Sequence, residues 1–330
     1  MSDTPQQLID ELFDRDPVTG LSLACLVVRG GRVVGERYGT QPANDFQDAV
    51  TIGPDSTLLS WSMAKSITHA AVGLLVGDGR LDPGAPAPVP EWRGTDKARI
   101  TLDHLLEMRS GLAFVEDYVD GETSNCIEML FSGTAPSFAA YAAALPLVAE
   151  PGTVFNYSSG TTNIVARIVG DVVAGSDRDD PEARRSTVEE FLRDRLFRPA
   201  GMTSAIAKFD DAGDFVGSSY VYATARDFAR FGELYLRDGI GPSGDRVIAS
   251  DWVRHGTEWT AHDPESGFDY ARHFWKWPAF PGSFSCHGYE GQFVLVDPAS
   301  DLVVVHLGKT DVTHQRGLTT GLARIAQSAR

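Results

Sequence analysis

The sequence is poor in cysteine and in positive charge, and it contains no long hydrophobic run. Its three cysteines, Cys25, Cys126 and Cys286, are an odd number at scattered positions, which fits neither a disulfide framework nor a metal site. The net charge of −16, from 45 acidic and 29 basic residues, argues against nucleic acid and anionic membranes as partners. No apolar run reaches the roughly 18 residues of a membrane-spanning helix, so we expect none.

The N-terminal stretch, residues 1–16, is acidic and polar. It lacks the basic segment followed by an apolar segment that defines a signal peptide, so we expect a cytoplasmic protein. The 330 residues allow one large domain or two closely packed domains with a sizeable core. The oligomeric state is not fixed by the sequence, and a homodimer is compatible with it.

Strand patterns lie at both ends of the chain, and helix patterns fill the middle. Residues 22–29 and 32–38 are rich in β-branched side chains around a two-glycine turn, which predicts a β-hairpin. Residues 285–297 and 302–307 are also strand-like, and residues 313–328 follow as a closing helix.

This arrangement predicts an α/β (α+β) fold. Residues 1–80 plus 265–330 are expected to form an antiparallel sheet flanked by helices, and residues 81–264 an inserted, mostly helical domain. A catalytic or binding site then lies in the cleft between the two parts.

An apolar stretch, residues 58–76, contains Ser62 and Lys65 three positions apart. The apolar residues after Lys65 recur at helical spacing, which predicts a helix with a buried face. The spacing places both side chains on one face of that helix. A lysine whose pKa is lowered by burial can take the proton of a serine, which makes the pair a candidate nucleophile and base. A surface helix with a capping serine and a solvated lysine would have the same sequence, so other motifs are needed to distinguish the two interpretations.

Two later stretches add candidate functional groups. Tyr157 follows a turn at the entry to a helix, where its phenol can accept and return a serine proton, although a packed core tyrosine fits equally well. Gly288 and Gly291, three positions apart, let a substrate lie close along a strand edge, and the backbone N–H of Tyr289 with that of Ser62 would form an oxyanion hole. A β-bulge explains the same glycines, and His287 alone is more often structural.

Three motifs and five supporting blocks occur in one order over nearly the whole chain: SMAK (62–65), YSS (157–159), GYEG (288–291), ITLDHLLEMRSGL, EPGTVFNYSS, LFRPAGM, ATARDFARFGELYL and GQFVLVDPASDLVVV. Taken together, and in their order along the chain, these motifs and blocks resemble the serine β-lactamase-related family. That family includes class C β-lactamases, D-Ala-D-Ala peptidases, family VIII esterases and 6-aminohexanoate-dimer hydrolases.

The resemblance implies a β-lactamase/transpeptidase-like fold and a serine hydrolase that works through an acyl-enzyme. Ser62 is then the nucleophile, and Lys65 and Tyr157 share its proton; which of the two is the base stays open, because coupled groups titrate as a pair. Ser159 and the loop around Tyr118 are implied to line the substrate cleft. No metal and no organic cofactor is implied.

The departures from the family pattern bear on the substrate. Aligned on Gly288, the family's Lys and Thr positions fall on Cys286 and His287, which puts the binding of a β-lactam carboxylate in doubt. Ser159 stands where class C β-lactamases have Asn. These features resemble the 6-aminohexanoate-dimer hydrolases and esterases more closely, and they imply a small ester or amide substrate. The Tyr289 side chain and Trp61 are further candidate substrate contacts.

Two alternatives remain at this point. A class C-like β-lactamase or D,D-peptidase would need a cation in place of the absent lysine, and His287 is the obvious stand-in. A catalytically silent penicillin-binding-type sensor domain would have no use for Ser62, Lys65 and Tyr157 together, so the complete set argues against it.

Overall fold

An eight-stranded antiparallel sheet is the centre of the computed structural model, which describes residues 3–45, 48–117, 124–175, 179–263 and 266–330. Tyr118 therefore lies outside the described residues. The strands are β1 (Leu21–Arg29), β2 (Arg32–Tyr38), β3 (Thr40–Gln41), β4 (Val50–Thr51), β5 (Leu58–Leu59), β6 (Ile206–Ala207), β7 (Val221–Ala223), β8 (Ala261–His262), β9 (Asp269–Tyr270), β10 (Trp275–Lys276), β11 (Phe284–Gly288), β12 (Gln292–Asp297) and β13 (Leu302–Lys309).

Helices cover both faces of this sheet and form the middle of the chain. They are α1 (Pro5–Phe13), α2 (Ala64–Gly77), α3 (Leu102–Leu106), α4 (Asn125–Phe131), α5 (Phe138–Ala144), α6 (Ser159–Ala174), α7 (Pro181–Phe191), α8 (Arg198–Ala200), α9 (Ala225–Leu236), α10 (Ser250–Thr257) and α11 (Gln315–Ser328), with a π-helical segment, Leu192–Phe197, between α7 and α8. Among the described residues, no helix combines the length and the apolar character that crossing a bilayer requires.

The two ends of the chain build one sheet, as predicted. The strand order is β2-β1-β13-β12-β11-β10-β9-β8, so the N-terminal hairpin pairs with the last strand of the chain. The predicted hairpin is confirmed, with β1 and β2 antiparallel and joined through Gly30 and Gly31. Both glycines have positive φ (57° and 73°), which other residues adopt at a cost.

Alternate side chains of the central strands enter two different cores. Leu26, Val294 and Val305 face the larger core, where α9 packs on the sheet. Val27 and Val304 face the smaller core, which α1 and α11 cover. Because both faces are buried, these strands are apolar at nearly every position instead of alternating with polar residues.

The middle of the chain is mostly helical, with α6 in contact with α2, α3, α5 and α7. The short sheet of β5, β7 and β6 joins the segment before α2 to this part. Strand β8 belongs to the main sheet, although its residues fall within the range predicted for the helical domain, residues 81–264. The division into two domains stays a prediction.

The helix predicted around Ser62 and Lys65 is present, but Ser62 lies just before its α-helical part. Leu58–Leu59 is strand β5, Trp61–Met63 is a 3₁₀ turn, and α2 begins at Ala64. Trp61 has a φ of 44°, which an α-helix cannot contain. The expected buried face is present, since nearly every residue of α2 up to Leu75 is buried.

Candidate active site

Strand β5 and the following turn fix the position of Ser62. The Ser60 N–H donates to the Val221 carbonyl at 2.8 Å, and the Ser60 hydroxyl donates to the Ser219 carbonyl at 3.2 Å. The Val221 N–H donates back to Ser60 Oγ at 3.1 Å. With Ser60 held from both sides, the strained Trp61 turns the chain so that Ser62 precedes α2 on a rigid support.

Lys65 is buried and all three of its ammonium donors have partners. The residue is only 2% exposed. Its Nζ donates to Ser62 Oγ at 2.9 Å, to Ser159 Oγ at 3.0 Å and to the Ser218 carbonyl at 3.0 Å. Burial lowers the Lys65 pKa, while the negative charge of Glu116 acts to raise it. Lys65 therefore has both the position and the electrostatic surroundings of a proton acceptor for Ser62.

Tyr157 lies over the same lysine. The Lys65 Nζ is 4.8 Å from the centroid of the Tyr157 ring, which is a cation–π distance. Tyr270 and Trp275 pack against the ring, with centroids 6.0 and 5.4 Å away. Burial raises the Tyr157 pKa far above its ordinary value and the Glu116 charge adds to this, while hydrogen bonding to Ser62 opposes it. The phenol therefore keeps its proton at neutral pH and is suited to donate it.

The third motif lies beside the turn that carries Ser62. A Cβ at Gly288 would be 2.4 Å from the Ser60 carbonyl oxygen, so the end of β11 touches the segment that carries Ser62. The Tyr289 ring meets Trp61 edge-on at 5.8 Å, and Trp61 lies 6.2 Å from Tyr220. These three aromatic rings form one wall beside Ser62, and Tyr289 is 39% exposed.

The close contact between Gly288 and Ser60 leads to a testable prediction. Its φ and ψ, −132° and 156°, suit any residue, so the only obstacle to Gly288→Ala is the crowding against Ser60 and the Gln292 side chain. We expect the added methyl group to displace the end of β11 and to lower kcat/KM for a p-nitrophenyl ester about 10²-fold, since small misplacements at a reacting centre cost this much.

Gly317→Ala is the matched control for this change. Gly317 lies on the exposed side of α11, and a Cβ there meets nothing within 4 Å. The control should leave kcat/KM unchanged and raise the free energy of unfolding by about 0.5–1 kcal/mol, measured by urea denaturation. Equal activity in the two variants would contradict a role for close contact at Gly288.

His287 lies inside an aromatic cluster. Its ring stacks on Trp275 at 5.2 Å and meets Phe268 and Phe293 edge-on, each at 4.7 Å, while its Nε2 is 2.8 Å from Ser285 Oγ. Burial lowers the His287 pKa to about 3, so its imidazole is neutral at physiological pH. It therefore does not supply the cation that a substrate carboxylate would need.

The sequence did not indicate several groups that the structure brings to the site. Glu116 accepts hydrogen bonds from the Ser159 N–H and hydroxyl, both at 2.6 Å, and so lies behind Lys65. The Ser218 carbonyl binds Lys65 directly, and Tyr220 extends the aromatic wall. The available signal for Glu116 was its place in the irregular stretch after α3, because long loops in compact domains are often functional.

Comparison with known proteins identifies the family and the fold. The sequence profile of the Beta-lactamase family matches residues 6–327. The 6-aminohexanoate-dimer hydrolase of Paenarthrobacter ureafaciens is 28% identical over 319 residues, which cover 91% of this chain and 76% of that protein. Among solved structures, a family VIII carboxylesterase has a TM-score of 0.72 at 16% identity and covers 100% of this chain and 98% of its own. A class C beta lactamase from Rhodobacter sphaeroides has a TM-score of 0.66 at 16% identity, with 98% and 97% covered.

The fold and the Ser-x-x-Lys site thus define a protein of the β-lactamase/transpeptidase-like class. Within that class the chain belongs to the Beta-lactamase family, and it is a serine hydrolase. The resemblance drawn from the motifs is confirmed, as is the predicted fold class.

Proposed function

We propose that this chain hydrolyses a small ester or amide through an acyl-enzyme on Ser62, in the manner of an esterase or a 6-aminohexanoate-dimer hydrolase. The observation that carries the proposal is the buried Lys65 amine, 2.9 Å from Ser62 Oγ. The 28% identical 6-aminohexanoate-dimer hydrolase supports an amide of that type as a substrate to test.

The acylation step uses Lys65 as base and Tyr157 as acid. Ser62 Oγ bonds to the substrate carbonyl carbon, its proton passes to the neutral Lys65 amine, and the carbonyl electron pair moves onto oxygen. The backbone N–H groups of Ser62 and Tyr289 hold this oxyanion. The bond to the leaving group then breaks, and the leaving group takes the Tyr157 proton, which Lys65 replaces.

Deacylation repeats these steps with water. A water molecule loses a proton to Lys65 as its oxygen bonds to the acyl carbon, and the Ser62 oxygen leaves with a proton returned through Tyr157. The acid product and the resting enzyme result, and no metal or organic cofactor takes part in these steps. Because Tyr157 holds its proton at neutral pH, it suits the donor role better than the base role.

The walls of the site favour substrates without a carboxylate next to the reacting bond. Trp61, Tyr220 and Tyr289 present apolar ring surface beside Ser62. The neutral His287 and the buried Cys286 supply no cation at the positions where β-lactamases carry Lys and Thr. This argues against a β-lactamase or D,D-peptidase. The joint approach of Lys65 to Ser62 and Tyr157 argues against a silent sensor domain.

A panel of substrates tests the proposal directly. Purified protein is assayed with p-nitrophenyl acetate and butyrate, with 6-aminohexanoate dimer and with nitrocefin, each compared by kcat/KM. We expect ester turnover at least about 10²-fold above nitrocefin turnover, a difference of about 2.7 kcal/mol in transition-state stabilisation.

Other outcomes of this panel contradict the proposal in defined ways. Efficient nitrocefin turnover would make the protein a β-lactamase. No turnover of any substrate, with no labelling by a fluorophosphonate, would make it a silent binding domain. The cytoplasmic location, the homodimer and the substrate contact of Tyr118 stay predictions that this panel does not address.

A further inference from the structure

A carboxylate lies two hydrogen bonds away from Lys65, with one serine hydroxyl between them. Lys65 Nζ donates to Ser159 Oγ at 3.0 Å, and Ser159 Oγ in turn donates to Glu116 Oε1 at 2.6 Å. The Ser159 N–H donates to the other carboxylate oxygen, Oε2, also at 2.6 Å. Ser159 therefore joins Lys65 to Glu116 in an unbroken hydrogen-bonded chain.

The position of Ser159 on its helix explains why an acid is held there. Ser159 is the first residue of the 16-residue helix α6, whose N-terminal end carries partial positive charge and unpaired N–H groups. Glu116 accepts one of those N–H groups. The buried Cys126 thiol donates to Glu116 Oε1 at 3.5 Å, so the carboxylate is held by Cys126 as well as by Ser159.

The charged and titratable groups that face Lys65 come from several elements. Burial lowers the Lys65 pKa, and the Glu116 charge acts to raise it. Burial raises the pKa of the Cys126 thiol to about 12, so this group carries no charge at neutral pH. Tyr157 lies over the ammonium group. His273, from the turn after β9, has a pKa lowered to about 3 by burial and by the Lys65 charge, so it stays neutral and adds no charge at neutral pH.

Glu116 is thus the carboxylate whose charge opposes the burial of Lys65. We propose that Glu116 is a positioning residue which, through Ser159, sets the pH range in which Lys65 takes the Ser62 proton. This inference rests on the proposed function, because it assigns a role in the same reaction. Glu116 acts through the electrostatic surroundings of the site: its charge raises the Lys65 pKa, which sets the acid limb, and it also helps to raise the Tyr157 pKa.

Glu116→Gln tests the role of the charge. Gln keeps the shape, and its carbonyl oxygen accepts from the Ser159 N–H, but the negative charge is gone. Removing a charge that raises the Lys65 pKa lowers that pKa, so the neutral amine forms at lower pH. We expect the acid limb of the kcat/KM profile for p-nitrophenyl butyrate to move to lower pH by about 1 unit. The rate of fluorophosphonate labelling of Ser62 should follow the same shift.

Glu128→Gln is the matched control. Glu128 lies on α4, where its carboxylate accepts from the Tyr141 hydroxyl at 2.7 Å, and Tyr141 is not part of the site. This variant loses the same charge from a neighbouring surface and should keep the wild-type pH profile. Thermal unfolding of both variants shows whether each is folded.

The outcomes separate the two proposals. If the Glu116→Gln limb stays within about 0.3 pH units of the wild type, Glu116 does not set the Lys65 proton affinity and the inference is overturned. A lower kcat with an unmoved limb overturns it as well, because packing alone would do that. A wild type that neither turns over the ester nor takes the label would overturn the proposed function, and this inference with it.

Discussion

Ser62→Ala is expected to lower kcat/KM for p-nitrophenyl butyrate by at least about 10³-fold, because no covalent intermediate can form without the hydroxyl. Lys65 keeps its hydrogen bonds to Ser159 and to the Ser218 carbonyl, so the buried ammonium group is not left without partners. The free energy of unfolding should therefore change by less than about 1.5 kcal/mol. Steady-state kinetics and urea denaturation measure the two effects separately.

Ser56→Ala provides the comparison. Ser56 lies in the turn before β5, where its hydroxyl accepts from the Gly53 N–H at 3.0 Å. Ser56→Ala also removes one serine hydroxyl, close to Ser62 in sequence but outside the site. The ester turnover of this variant should match that of the wild type. If Ser62→Ala kept more than a tenth of the wild-type rate, Ser62 would not be the nucleophile and the mechanism would fail.

The parts of the fold that were predictable are those in which local pattern and final environment agree. The hairpin of β1 and β2 follows from β-branched runs around two glycines, and β13 from an uninterrupted apolar run. The start of α2 was not predictable. The φ of 44° at Trp61 depends on Ser60 being held by the distant Val221, a tertiary contact that no local pattern carries.

The same distinction holds for the site. Ser62 and Lys65 are readable because three positions on a helical turn bring them together by geometry. Glu116 is separated from Lys65 in sequence, and only the packing of the loop after α3 against the start of α6 joins them through Ser159. His287 was readable as a candidate cation, but its burial among the rings of Phe268, Trp275 and Phe293, which makes it neutral, depends on how neighbouring strands pair and pack.

Lys65→Met is the second change with a large expected effect. Methionine fills a similar volume without the amine, so Ser62 loses its proton acceptor and kcat/KM should fall about 10²–10⁴-fold on every substrate. The free energy of unfolding should fall by about 1–3 kcal/mol, because the Ser218 carbonyl and the Ser159 hydroxyl lose a donor and Glu116 loses its counter-charge. Removal of the desolvation cost of the lysine offsets part of this loss. Kinetics and thermal unfolding of the same preparation test both expectations.

Tyr157→Phe, compared with Lys65→Met, distinguishes which of the two residues is the base. If Lys65 is the base and Tyr157 the acid, Tyr157→Phe should cost less with a p-nitrophenyl ester than with an amide, because p-nitrophenolate leaves without needing a proton. Lys65→Met should show no such dependence on the leaving group. The reverse pattern, with Lys65→Met nearly active and Tyr157→Phe inactive on all substrates, would make Tyr157 the base. That result would require its phenolate to form beside the Lys65 ammonium, against the burial and the Glu116 charge that keep the phenol protonated.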